Sequence, residues 1–168
     1  NLRFASLNGS NLRGARLQGA DFSNAVLSNS DLRDSDLRGA SCRYGSLENA
    51  RLNNAELSYS DFGNASLENA GLKNVSLYQA RLRNASLKGA DLRNARLNSA
   101  DFSNANLENA CLENACLEDA SLENASLENA CLCGAKLNGA DLRDSKLNNA
   151  DLSYTNFEGA RLKGATLE

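Results

Sequence analysis

The sequence predicts an all-β solenoid, a chain that coils around its own filled interior, and three observations predict it. Every fifth residue from Leu2 to Leu167 is apolar: of 34 such places 29 are Leu, four are Phe (Phe22, Phe62, Phe102, Phe157) and one is Cys42, and no Leu occurs elsewhere. Two residues before each stands a small residue, Ala in 25 of 33 cases. Two residues after it stands Asn, Gly or Asp in 27 of 33 cases.

A step of five turns an α-helix by about 140° past a full turn, so the leucines of a helix would spiral around its axis and form no stripe. On a straight strand an odd step sends successive leucines to opposite faces. The remaining solution bends once per unit. Ala and Leu, two apart, point inward together, and the last two residues turn the corner, where Asn, Gly and Asp tolerate left-handed backbone best. Pro is absent, as suits a chain whose backbone N–H groups are wanted by neighbouring coils. Stacked coils are then expected to bond as parallel strands about 4.8 Å apart.

The unit A(D/N)LXX, seen in Ala90-Asp91-Leu92-Arg93-Asn94 and Ala140-Asp141-Leu142-Arg143-Asp144, resembles the pentapeptide repeat family, and the resemblance covers the whole chain. It implies a right-handed quadrilateral parallel β-helix, four pentapeptides to a coil. On that expectation 168 residues form one domain, 1–168, of about eight coils and about 40 Å length. A second period agrees: Asp21-Phe22-Ser23-Asn24-Ala25 recurs at Asp61-Phe62-Gly63-Asn64-Ala65 and Asp101-Phe102-Ser103-Asn104-Ala105. The three rings are then expected on one wall in alternate coils, with Cys42 and Leu82 between them, a large-and-small alternation that fills a narrow tube.

Only the residues beside each Leu remain free to carry function. Net charge is −3, unevenly placed: residues 1–100 carry 13 basic and nine acidic side chains, and residues 101–135 carry seven acids and no base. Asp101, Glu108, Glu113, Glu118, Asp119, Glu123 and Glu128 are expected to form an acidic belt, offered as an interaction patch. Acidic members of the resembling family imitate DNA and bind type II topoisomerases, which makes a gyrase inhibitor or protector the alternative function. A DNA mimic needs dense charge along its whole length, whereas Arg3, Arg43 and Arg83 share a wall with Asp21, Asp61, Asp101 and Asp141. That wall reads as a lattice of weak, solvated ion pairs, and no direct nucleic-acid binding is expected.

Four cysteines, Cys111, Cys116, Cys131 and Cys133, point outward in this register, and Cys42 points inward as a small apolar residue. Cys111 and Cys131, twenty apart, are expected to stack on adjacent coils within reach of a disulfide. Cys133 lies on the same wall above Glu113, and Cys111, Cys131, Cys133 and Glu113 make a poor tetrahedral cage on a flat wall, so no metal is expected. An odd number of cysteines leans towards a reducing compartment. Tyr59 and Tyr78 fall on adjacent coils of one wall and form a second interaction patch, since Tyr is enriched at interfaces.

Catalysis has little foothold. There is no His, which removes the commonest general base, and a convex rod lacks the concave pocket of small-molecule chemistry. No cofactor and no small-molecule substrate are expected. The absence of a long apolar run predicts a soluble chain without membrane insertion. Open coil ends expose strand edges, so capping by flanking segments or end-to-end self-association is expected. The reading is a rigid, non-catalytic structural or protein-interaction scaffold whose protein partner the sequence does not name.

Overall fold

A computed structural model of the protein describes all of residues 1–168, and its backbone repeats every five residues without interruption. The unit Ala65-Ser66-Leu67-Glu68-Asn69 shows the bonding. Ser66 N–H donates to Gly45 O of the preceding coil at 2.9 Å, while Leu67 and Asn69 N–H donate to Ser86 O and Lys88 O of the following one at 2.7 and 2.9 Å. Ala70 N–H returns across the corner to Leu67 O at 3.0 Å. One N–H per unit, that of the residue after Leu, has no backbone acceptor. In twelve units an Asp or Asn just before the central Leu or Phe accepts it, as Asp91 Oδ1 accepts from Arg93 N–H at 3.2 Å. Asp or Asn at that place thus serves a backbone need, although the remaining units form the same bridges with other residues there.

Parallel bridges join each residue before a Leu to the one twenty positions on, from Ser6 with Val26 to Lys146 with Thr166. The protein is therefore a β-helical solenoid. Four units separate bridged residues, and they define four walls: the first centred on Leu2, Phe22, Cys42 and Phe62, the second on Leu7 and Leu27, the third on Leu12 and Leu32, the fourth on Leu17 and Leu37. The expected parallel strands are reduced to single bridges, because a corner every five residues leaves too short an extended stretch for a ladder.

All 33 corner residues, from Phe4 to Gly164, have positive φ, between 53° and 79°. Asn and Gly fill most of these corners, as expected; Phe4, Tyr44, Tyr59, Gln79, Ser99 and Tyr154 occupy the same backbone region without the usual aptitude for it. Inside, 46 buried residues form one continuous core. Phe22, Cys42, Phe62, Leu82 and Phe102 follow one another on the first wall with exposure of 1% or less, as the forty-residue period predicts. Each buried Leu contributes about 1.5–3 kcal/mol. Ser35, Ser60 and Ser145 replace the inward Ala and return their hydroxyls to the carbonyls of Leu32, Leu57 and Leu142. The Oγ atoms of Ser10 and Ser30 have no partner. Leu2, Leu7, Leu12 and Leu17 in the first coil, and Leu152 and Phe157 near the other end, are only partly buried. No helix is long and apolar enough to cross a membrane.

Candidate functional site

The side chains before and after each Leu are the outward ones, and the coil register fixes which of them meet. Within a unit the partner is two residues away, along a row twenty, and on the diagonal between rows eighteen. Asp-Leu-Arg units close on themselves: Arg93 donates from Nε to Asp91 Oδ1 at 2.8 Å and from Nη2 to Oδ2 at 2.6 Å. Arg33 with Asp31, Arg38 with Asp36 and Arg143 with Asp141 repeat the fork. The Arg33 hydrogen bond holds the Asp31 carboxyl down to about 2. Arg38, Arg93 and Arg143 likewise lower Asp36, Asp91 and Asp141.

Diagonal pairing organises the first wall, where Arg3, Arg43 and Arg83 reach Asp21, Asp61 and Asp101. The ion-pair lattice expected from the sequence is present. It also corrects the acidic belt. Asp101 pairs with Arg83, Glu108 with Lys88 at 2.8 Å and Glu123 with Arg143 at 3.1 Å. The bases come from neighbouring coils outside residues 101–135, which a count along the chain misses. Glu118 accepts from Asn98. Glu113, Glu118, Asp119 and Glu128 have no cation within 4 Å, so four of the seven charges stay uncompensated and the belt is thinned where Asp101, Glu108 and Glu123 are paired.

The fourth wall carries the largest departure from flatness. Ser58 and Ser76 meet on the diagonal, with Oγ atoms 3.0 Å apart, and are buried although both sit at outward positions. Two small side chains meeting in a lattice of long ones leave a depression of about 400 Å³, rimmed by Arg38, Glu56, Tyr59, Tyr78, Arg96 and Asn98. Tyr59 and Tyr78 meet edge to face, centroids 5.6 Å apart and planes at 89°, and both rings remain exposed. Arg96 lies 3.6 Å from Glu56 and Arg38 is forked on Asp36, so the rim is held from both sides. The sequence pointed to the tyrosines and missed Ser58, Ser76, Arg38, Glu56 and Arg96. The eighteen-residue spacing of the two serines was the available signal.

A smaller hollow of about 180 Å³ opens on the first wall where Gly63 interrupts the arginines and aspartates. The other exposed aromatics are at corners, and two are covered by cations: Arg3 lies over Phe4 and Arg43 over Tyr44, each at 5.6 Å. Cys111 and Cys131 are bridged neighbours on the third wall, as their spacing predicts, and all five cysteines are free thiols. Cys116 lies on the fourth wall between Arg96 and Lys136. Burial pushes the Cys42 thiol up to about 12. No group of three or more Cys, Asp or Glu side chains is assembled as a metal cage.

Five-residue units bridged at twenty residues, a corner of positive φ in each and a core of stacked Leu, Phe and Ala define a repeat solenoid of the β-helical class. A family model for pentapeptide repeats, in eight copies, matches residues 1–34, 35–74, 76–114, 100–139 and 134–168. The chain belongs to the pentapeptide repeat family.

Among solved structures it is similar to HetL, a pentapeptide repeat protein involved in heterocyst differentiation regulation from the cyanobacterium Nostoc sp. strain PCC 7120. The two are 32% identical over 95% of this chain and 84% of that one, with a TM-score of 0.53. It is similar also to the pentapeptide repeat protein Rfr23 of the cyanobacterium Cyanothece 51142, 38% identical over 55% of this chain and 64% of that one, TM-score 0.55. QnrB1, a plasmid-mediated fluoroquinolone resistance protein, shares the fold at 20% identity over 97% of this chain and 91% of that one, TM-score 0.73. No match was found among curated proteins.

Proposed function

We propose that the chain is a non-catalytic protein-interaction scaffold, a right-handed quadrilateral rod of about eight coils. Its docking place is the fourth-wall depression. The observation that carries this reading is the Tyr59–Tyr78 pair, exposed beside a hollow floored by Ser58 and Ser76. Aromatic side chains next to a recess supply large contact area at small entropic cost, the character of interface hot spots. Elsewhere on the rod the Asp-Leu-Arg forks satisfy their own charges, which leaves a partner little to gain by displacing them. The absence of His supports a non-catalytic role, and the serines that meet carboxylates, such as Ser23 on Asp21 and Ser103 on Asp101, lie in the outward lattice and line neither hollow. Five free cysteines fit a reducing compartment.

The test compares capture by immobilised protein, by its Tyr59→Ala/Tyr78→Ala variant and by a Tyr44→Ala variant altered at an exposed corner of another wall. The expected result is a partner lost with the first variant and kept with the second. Equal recovery from all three removes the depression as the docking place. The alternative, a DNA-mimicking inhibitor or protector of a type II topoisomerase, draws its support from the uncompensated Glu113, Glu118, Asp119 and Glu128. Pairing of Asp101, Glu108 and Glu123 with basic side chains weakens it. Inhibition of gyrase supercoiling at micromolar protein would favour that alternative over the scaffold. Cover for the partly buried end coils, from flanking segments or a second copy, belongs to the same reading.

A further inference from the structure

On the third wall the residues preceding the central leucines form a straight row in which Asp91, Cys111, Cys131 and Asp151 are consecutive bridged neighbours. The backbone under both thiols is pinned. Cys111 N–H donates to Ala90 O and Cys131 N–H to Ala110 O, each at 2.9 Å, and Leu112 N–H donates to Cys131 O at 2.7 Å. Bridged residues of parallel coils lie about 4.8 Å apart with their Cα–Cβ bonds side by side. A disulfide accepts Cα atoms about 4.4–6.8 Å apart and Cβ atoms about 3.5–4.5 Å apart, so this spacing is within its reach at the upper edge for Cβ. Two metal–thiolate bonds of at most the about 2.3 Å of Zn–S, laid end to end, span no more than about 4.6 Å, close to the spacing of the row.

We propose that Cys111 and Cys131 form a two-coordinate site for a soft, thiolate-seeking monovalent cation of the Cu(I) class. Thiolate ligands select such ions, and a linear pair needs no tetrahedral cage, the arrangement that a flat wall cannot supply and that Zn²⁺ demands. The surroundings favour a cation. Asp91 and Asp151 bracket the two thiols along the row; Asp91 is forked by Arg93, whereas Asp151 has no cation within 4 Å and accepts from Ser153, its N–H at 3.0 Å. Glu113 and Cys133 follow in the adjacent outward row, and Glu113 has no cationic partner within 4 Å.

Binding breaks two S–H bonds heterolytically, sends both protons to solvent and forms two S–Cu bonds, with no change of oxidation state. The experiment titrates the reduced 168-residue protein with Cu(I) anaerobically, against the chromogenic chelator bicinchoninate. The expected result is one tightly held equivalent with a thiolate-to-metal absorption band. Cys111→Ser and Cys131→Ser should each weaken binding by more than about 100-fold, since even outer-sphere changes cost 10–100-fold. Cys116→Ser and Cys133→Ser should leave it intact, and circular dichroism checks that each variant is folded. Undiminished binding by Cys111→Ser or Cys131→Ser overturns the proposal, as does equal loss in Cys133→Ser. Failure of the reduced protein to take up Cu(I), with a Cys111–Cys131 disulfide mapped after oxidation, assigns the pair to redox chemistry instead.

Discussion

Gly39 offers a direct measure of what the corners cost. Its φ is +67°, and a Cβ added there meets nothing within 4 Å, so substitution changes the backbone preference and little else. Placing an L-residue in left-handed backbone costs about 1–2 kcal/mol. Restricting the unfolded chain by replacing Gly with Ala returns about 0.4–1 kcal/mol. Gly39→Ala should therefore destabilise the fold by about 1 kcal/mol, and Gly39→Asn by only a few tenths, because Asn enters this region more readily. Urea unfolding followed by circular dichroism, with both variants and the parent at equal slope, supplies the comparison. Gly39→Ala equal to or more stable than the parent would refute the reasoning. It would mean that the corner conformation is not what selects Asn and Gly in this repeat.

Three other outcomes are expected. Ser30→Ala should raise stability by about 1 kcal/mol, the cost of a buried hydroxyl without a partner, whereas Ser60→Ala, which removes a bonded hydroxyl, should not; urea midpoints decide between them. Asp31, Asp36, Asp91 and Asp141 have folded pKa values below their ordinary ones, so their stabilising contribution is fully present above about pH 4. It is lost as pH falls through the folded values, about 2 for Asp31; an acid titration by circular dichroism should show it, more weakly in 1 M salt, which screens exposed pairs. Native protein should react with Ellman's reagent at four thiols, and Cys42, buried with its thiol pushed up to about 12, only after unfolding.

The interior was legible because its code is local: an inward pair and a corner residue recur every five places, and each is set by sterics within its own unit. The stacking of Phe22, Cys42, Phe62, Leu82 and Phe102 was legible for the same reason, once the coil length was assumed. The outer surface was harder, since its partners lie two, eighteen or twenty residues away and a linear reading weighs neighbours in sequence. That is why the acids of residues 101–135 looked like a belt while Arg83, Lys88 and Arg143 were already matched to three of them. The hollow at Ser58 and Ser76 escaped notice because two small residues eighteen apart mean nothing until the diagonal is known. The Asp before Leu was read as a family mark, and its work as a backbone acceptor appeared only when one N–H per unit was left over.

The coil register also limits how a partner can read the rod. Rows advance by one residue per coil, about 4.8 Å, so a partner running along a wall would need matching groups at that repeat over several coils. The fourth wall offers no such repeat: its two outward rows run through Asp36, Glu56, Ser76, Arg96 and Cys116, and through Arg38, Ser58, Tyr78, Asn98 and Glu118. On the proposed reading, recognition there would be confined to the coils that hold Ser58 and Ser76, where hydroxyls, aromatic edges and charged rims of both signs meet within one recess. A single inserted segment fits that arrangement better than a partner laid lengthwise. The rod around it then acts as a rigid frame, since hydrogen bonds from both neighbouring coils hold the backbone beneath Tyr59 and Tyr78.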